Sequence, residues 1–259
     1  MKILHVIPSL SPKLGGPPQV AMNLVWALCQ SGIDAEIVTT NHDGATELDV
    51  PLNQRVDYSF REDGTTVPVW FLPFKRPALK EFIFSPELTQ WLWQRVPHYD
   101  VLDNHYLFCY APTCAAAIAR WYNVPYTVRT MGQLASWALT QSHLKKRIYT
   151  ALIERRNLNQ ASAIHCTTPS EAQDVRNFKI TTPTVTLPLG INPLISMPDA
   201  RSQLHQHYQI PEQTPIVLFL SRLHPKKRPD LLLRSLHRIA SRGTQFHLIL
   251  AGDGDPAYV

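Results

Sequence analysis

The segment Ser221-Arg222-Leu223-His224-Pro225-Lys226-Lys227-Arg228-Pro229 sits between an apolar run and a helical pattern. There Arg222 and Lys227 can converge on a diphosphate, with charge-assisted hydrogen bonds worth roughly 1.5–3 kcal/mol each. Gly252-Asp253-Gly254 follows the next apolar run, and its glycines allow close backbone approach to an anion. Gly15-Gly16 likewise precedes a helix, whose N-terminus offers N–H groups and partial positive charge to a phosphate. A solvated basic loop and a plain flexible turn are the bland alternatives for these segments. Asn104-His105 follows another run, and His105 either donates to a substrate oxygen or serves as a cap or core residue. In Arg129-Thr130-Met131-Gly132 through Trp137, Arg129 either grips an anionic or polyhydroxylated ligand or pairs with a buried carboxylate.

Two other chemistries fit less well. GxGxxG is absent and no acidic residue stands at the end of the second run, Thr39-Thr40, where a ribose would need it, which argues against a nicotinamide enzyme. Asp253-Gly254-Asp255 has the form of a DxD metal motif, and His205 with His207 offers two imidazoles. The strand-then-glycine context favours backbone approach at Gly252, and the histidines read as decorating a helix or loop.

These loops need strands and helices to aim them. Apolar runs rich in β-branched residues recur at 3–7, 35–40, 67–72, 101–103, 126–129, 163–167 and 185–188, and each reads as a strand. Helical spacing at Val20, Leu24, Ala27 and Leu28 closes at Gly32. Ser85-Pro86-Glu87 and Thr168-Pro169-Ser170-Glu171 read as helix starts, the second with Glu171 completing a capping box. Alternating strands and helices imply a doubly wound parallel sheet, with ligands at the carboxyl ends of the strands. The pattern weakens before a new strand at 215–220, which places a first domain at 1–195, a linker at 196–214 and an incomplete second domain at 215–259.

The 259 residues are 44% hydrophobic and 17% charged, enough apolar material for a substantial core and too little charge for a disordered chain. A formal charge of +5 suits anionic partners, but the cations lie in short clusters such as 145–147 without a recognised nucleic-acid module. No nucleic-acid partner is expected. Cys29, Cys109, Cys114 and Cys166 form no CxxC pair, which fits a reducing cytoplasm. The first apolar run is too short for a signal peptide, and no run is long enough to cross a bilayer. Phe71 to Pro77 and the helix beginning near Ser85 mix aromatic and basic residues, giving either a peripheral membrane contact or a buried aromatic face.

Together, Leu14-Gly15-Gly16, Asp100 to His105, Arg129 to Trp137, Leu187 to Asn192, Ser221 to Arg228 and Ala251 to Gly254 resemble glycosyltransferase family 4. The resemblance implies an α/β, GT-B type fold with a complete Rossmann-like N-terminal domain and the beginning of a second. It implies sugar transfer from a nucleotide-sugar donor to a saccharide or lipid-linked acceptor, with retention, in cell-surface polysaccharide or glycolipid synthesis. No metal or other cofactor is implied, and the location is cytoplasmic, with contact to the inner membrane face as an option. By residue, Gly15, Gly16, Arg222, Lys227, Gly252 and Gly254 would hold the donor diphosphate. Asn104, Met131, Gly132 and Trp137 would lie on the acceptor side, and Arg129 and His105 would be catalytic. The family's Glu-x7-Glu segment is not reached, so a non-catalytic remnant or binding module is the alternative.

Overall fold

The computed structural model describes residues 1–44, 46–75, 82–140, 149, 153–191, 197–254 and 258. The chain divides into two compact units, Met1–Ile191 and Asn192–Val259. The strands of the first unit are β1 (Lys2–Ser9), β2 (Asp34–Thr40), the short pair β3 (His42–Asp43) and β4 (Thr46–Glu47), β5 (Arg55–Ser59), β6 (Thr66–Leu72), β7 (Val101–His105), β8 (Tyr126–Arg129), β9 (Ala163–Cys166) and β10 (Thr184–Thr186). Its helices are α1 (Gly16–Gln30), α2 (Pro86–Arg95), α3 (Tyr110–Trp121), α4 (Ser136–Thr140), α5 (Arg155–Asn159) and α6 (Pro169–Asn177).

Eight strands form one sheet in the order β10-β9-β8-β7-β1-β2-β6-β5. Its pairs are parallel except β5 with β6. The seven expected strands are present. The antiparallel edge β5 is an addition, because Arg55-Val56-Asp57-Tyr58-Ser59 is half-buried at best and polar at alternate positions. On one face, Ala21, Met22 and Val25 of α1 pack with Ile3, Ile7 and Ile37. Leu88, Trp91 and Leu92 of α2, Ala115 and Ala119 of α3 and Val175 of α6 pack on the other with Leu4, Val6 and Leu102. The buried stripe of α1 is therefore rotated from the expected Val20, Leu24, Ala27 and Leu28. Val20, Leu24 and Leu28 are only half-buried and Ala27 faces solvent.

Side chains from several stretches of the first unit converge on one carboxylate near the start of β2. Glu36, 5% exposed, accepts from Trp70 Nε1 at 3.0 Å, Arg55 Nε at 3.2 Å and the Tyr99 hydroxyl. Lys2 Nζ stands 3.7 Å away. Four separate stretches of chain are thereby tied to β2, and burial together with Glu36 raises the Tyr99 phenol far above its usual value.

The second unit contains α7 (Ala200–His207), β11 (Ile216–Leu220), α8 (Pro229–Ala240) and β12 (His247–Ala251), with β11 and β12 parallel. Ala200–His207 is helical inside the stretch read as linker. Only His205 of it is buried, so no apolar periodicity marked it. Among the described residues, no helix is long and apolar enough to cross a membrane.

Candidate functional site

Two turns at the carboxyl ends of β8 and β9 are held together by Glu171, 7% exposed, in the first turn of α6. Its Oε1 accepts from Thr130 Oγ1 at 2.5 Å and Gly132 N at 2.7 Å, and its Oε2 from Thr167 N at 2.7 Å and Thr167 Oγ1 at 2.9 Å. Burial alone would raise this carboxyl, but those donors from Thr130, Thr167 and Gly132 lower it below the ordinary value. Thr168 caps α6 as its sequence implies, accepting from Glu171 N at 3.1 Å. The reciprocal half of the capping box is different. Glu171 reaches past Thr168 to Thr167 and across to the neighbouring turn, because two polar loops there leave backbone donors to satisfy.

An open pocket of about 400 Å³ lies over this hub. It is lined by Gly16, Pro17 and Val20 of α1, by Met131 and Gly132, by Thr167, Thr168, Ser170, Glu171 and Asp174, and by Leu189. The lining carries two carboxylates and, among the described residues, no lysine or arginine. Hydroxyls and carboxylates without cations suit a polyhydroxylated ligand and repel an anionic one.

The glycines meet distinct requirements. Gly15 has φ +79° and precedes α1 after a 3₁₀ turn at Pro12–Leu14, a conformation natural only to glycine. Asp43 fixes that turn, accepting from Ser11 Oγ and from Lys13 Nζ, each at 2.5 Å, and its carboxyl is held down at about 2 by Lys13, Ser11 and Thr46. A Cβ at Gly16 would meet nothing within 4 Å, so Gly16 faces open space. Two of the first four residues of α1 are Pro17 and Pro18, which halves the free N–H groups of that turn. Gly16 lines the pocket together with Met131 and Gly132.

Asn104 and His105 are not beyond their strand but inside it. β7 runs two residues further than the sequence pattern, and its alternation turns the pair to opposite faces. Asn104 is 1% exposed, with an amide that finds no hydrogen-bond partner among the described residues. His105, fully buried, pairs Nε2 with His5 Nδ1 at 3.1 Å. Arg129 Nε donates to Asp103 Oδ2 at 2.5 Å, and Thr127 Oγ1 to Oδ1 at 2.7 Å. Arg129 thus takes the buried-carboxylate partner that the sequence left open. The row His5, Asp103, His105, Arg129 lies across adjacent strands in register.

Burial pushes His5 down to about 4 and His105 to about 3, with Asp103 opposing, so both rings are neutral. Burial would raise Asp103, but the charge and hydrogen bond of Arg129 hold it well below the carboxylate range. His5, Asp103 and His105 place three ligand atoms within 4.8 Å of one another, the one such group among the described residues. Arg129 already neutralises that carboxylate at 2.5 Å, so a divalent cation there would face a neighbouring guanidinium.

The backbone supplies a signal that composition does not. Tyr106, Phe108 and Met131 all have positive φ, at 76°, 57° and 51°, and all lie just beyond β7 and β8. Non-glycine residues in this region concentrate where surrounding structure overrides local preference, often at functional sites. Trp137 opens α4 with Ser136, but its side chain lies outside the described residues, as do Arg76, Pro77, the 145–147 cluster, Asn192 and Asp255. Phe71 and Leu72, in the stretch read as a membrane approach, are buried in the sheet.

In the second unit, Ser221-Arg222-Leu223 runs beside Gly252-Asp253-Gly254. Ser221 N donates to Ala251 O at 3.1 Å and Leu223 N to Asp253 O at 2.8 Å. A Cβ at Gly252, φ +154°, would stand 2.0 Å from Ser221 O, so the close approach served by this glycine is that of the chain's own backbone. Arg222 and Lys227 are exposed and have no ion-pair partner among the described residues. Arg228 is bound to Asp230 through two bonds of 3.0 and 3.1 Å.

Residues 15–190 match the family described as glycosyl transferase 4-like domain, and residues 200–258 match glycosyl transferases group 1. The chain is 28% identical over 154 residues to a D-inositol 3-phosphate glycosyltransferase of Nocardioides sp., covering 58% of this chain and 33% of that protein. It is 25% identical over 254 residues to the like-named protein of Acidothermus cellulolyticus, covering 92% of this chain and 54% of the relative. Sucrose-phosphate synthase from Thermosynechococcus elongatus superposes with a TM-score of 0.64 at 18% identity, over 100% of this chain and 64% of that one. The expected α/β architecture of GT-B type is borne out by that likeness of fold. The chain spans from a third to about half the length of these two curated relatives.

Proposed function

Because the chain belongs to the glycosyl transferase 4-like family, we propose that it takes part in transfer of a sugar from a nucleotide-sugar donor to a hydroxylated acceptor. The acceptor lies in the pocket organised by Glu171, and Arg222 and Lys227 bind the donor diphosphate. The single observation that carries the assignment is the division of charge. Among the described residues, carboxylates and hydroxyls without cations line the pocket of the first unit, while Arg222 and Lys227 stand exposed on the β11–α8 loop of the second. The relatives are named for D-inositol 3-phosphate. With Glu171 and Asp174 in the lining, we assign a neutral saccharide, free or lipid-linked, in preference to a phosphorylated acceptor.

The resemblance to family 4 supports transfer with retention, independence from metal, and a role in cell-surface polysaccharide or glycolipid synthesis at the cytoplasmic membrane face. His105 and Arg129 then act as positioning residues, through their contacts with Asp103 at the ends of β7 and β8. Calorimetry with UDP, GDP and their sugar conjugates tests the donor half. Arg222→Ala with Lys227→Ala weakens binding by more than about a hundredfold, the loss of two charge-assisted contacts. No binding to any nucleotide by the wild-type chain refutes the donor assignment and favours a non-catalytic binding module.

A further inference from the structure

We propose that the outer face of α2 is a binding surface for a neutral oligosaccharide, separate from the pocket at β8 and β9. Pro86, Thr89, Gln90, Trp93 and Gln94 recur at helical spacing along one side of α2, while Leu88, Trp91 and Leu92 are buried on the other. With Phe84 and Tyr110 they line a groove of about 410 Å³. Between Pro86 and Trp93 the helix rises roughly 10 Å, room for a short oligosaccharide. This aromatic-lined groove shares no residue with the pocket at β8 and β9.

The aromatic rings here are exposed and yet held. Trp93 is 45% exposed, packed at 5.7 Å against Trp121, itself 70% exposed. Phe84, 42% exposed, meets Tyr110 edge-on at 4.9 Å, and the Tyr110 hydroxyl is hydrogen-bonded to Thr89. Large aromatic groups left in solvent together mark a contact surface, since each forgoes burial. Gln90 and Gln94 are exposed, and neither carboxamide has a hydrogen-bond partner among the described residues. Each offers donors and an acceptor from one group. A pyranose presents an apolar C–H face and an equatorial rim of hydroxyls, which fit an aromatic ring flanked by amides. Among the described residues no charged side chain lines the groove, so none of them offers a partner to phosphate, nucleic acid or anionic headgroups. This surface does not rest on the transferase reading and stands or falls without it.

The test is retention of the 259-residue chain on an array of neutral hexose and N-acetylhexosamine oligomers, followed by calorimetry with the best-retained oligomer. Trp93→Ala weakens binding at least tenfold, and so does Gln90→Ala with Gln94→Ala, a pair that disturbs no buried side chain and leaves circular dichroism unchanged. UDP and GDP do not compete. Retention of no neutral oligomer overturns the proposal, as does equal binding by wild type and both variants. Binding to phosphatidylcholine vesicles that Trp93→Ala abolishes, with no glycan retained, reassigns the face to lipid and likewise overturns it.

Discussion

Glu171→Gln probes the pocket at its hub. Two donors converge on each carboxylate oxygen, Thr130 Oγ1 and Gly132 N on one, Thr167 N and Oγ1 on the other. Glutamine keeps one oxygen and presents an NH₂ group to the other pair, so in either orientation a backbone N–H faces a donor. The threonine hydroxyls can rotate to accept, but the backbone cannot. One charge-assisted bond worth about 1.5–3 kcal/mol is lost, and a donor is left unpaired at a cost of about 1 kcal/mol or more. The expected destabilisation is on the order of 3 kcal/mol, measured by urea unfolding at about pH 7. The pH dependence has a defined sign. The folded-state carboxyl of Glu171 is lowered, so its contribution is present above the unfolded value and is lost as pH falls through the folded one. Glutamine has no such dependence, and the gap between the two proteins narrows in acid. A gap below about 0.5 kcal/mol near neutrality, or one that does not change with pH, refutes the hub.

Glu154, 4% exposed, is raised by burial to about 7 against the pull of Phe108 N–H, so ionising it costs the native state as pH rises from the unfolded value of 4.5 through about 7. Glu154→Gln therefore gains on wild type by about 3 kcal/mol between urea titrations at about pH 4 and about pH 8, and a flat difference refutes the assignment. His5 and His105 remain neutral in the fold, so their imidazole resonances stay unshifted down to about pH 5. Titration of either near its ordinary value in the native protein contradicts the buried cluster. Gly252→Ala drives a methyl group against Ser221 O, and limited proteolysis then cuts within 197–254 while the first unit stays protected. Equal protection of the two proteins means that the β11 and β12 loops are not packed as described.

Much of the fold was legible because burial on both faces writes parallel strands as apolar runs. Tyr126–Arg129 begins and ends where its run does. Val101–His105 shows the limit, since its last two residues are polar and look like loop, although both are buried. β5 was illegible for the converse reason: an edge strand needs little apolar surface. In the site, the loop positions were found from their place after strands, whereas Glu171 was read only as a local cap. Its larger role depends on a partner turn 39 residues away, at Gly132, which periodicity within one helix cannot reveal. The positive φ at Met131 was equally hidden, because nothing in a methionine's chemistry announces a left-handed backbone.

Glu36 gives the first unit a fixed foundation. The groups gathered on it come from Lys2, Arg55, Trp70 and Tyr99, separated by long stretches of chain, and they meet near the starts of β1 and β2. The pocket turns lie past the other ends of the strands. Residues such as Met131, Ser170 and Leu189 can therefore change to suit a different ligand while the opposite end keeps the strands aligned. Loss of Glu36 would have the reverse signature, loosening every strand it joins without altering one atom of the pocket lining.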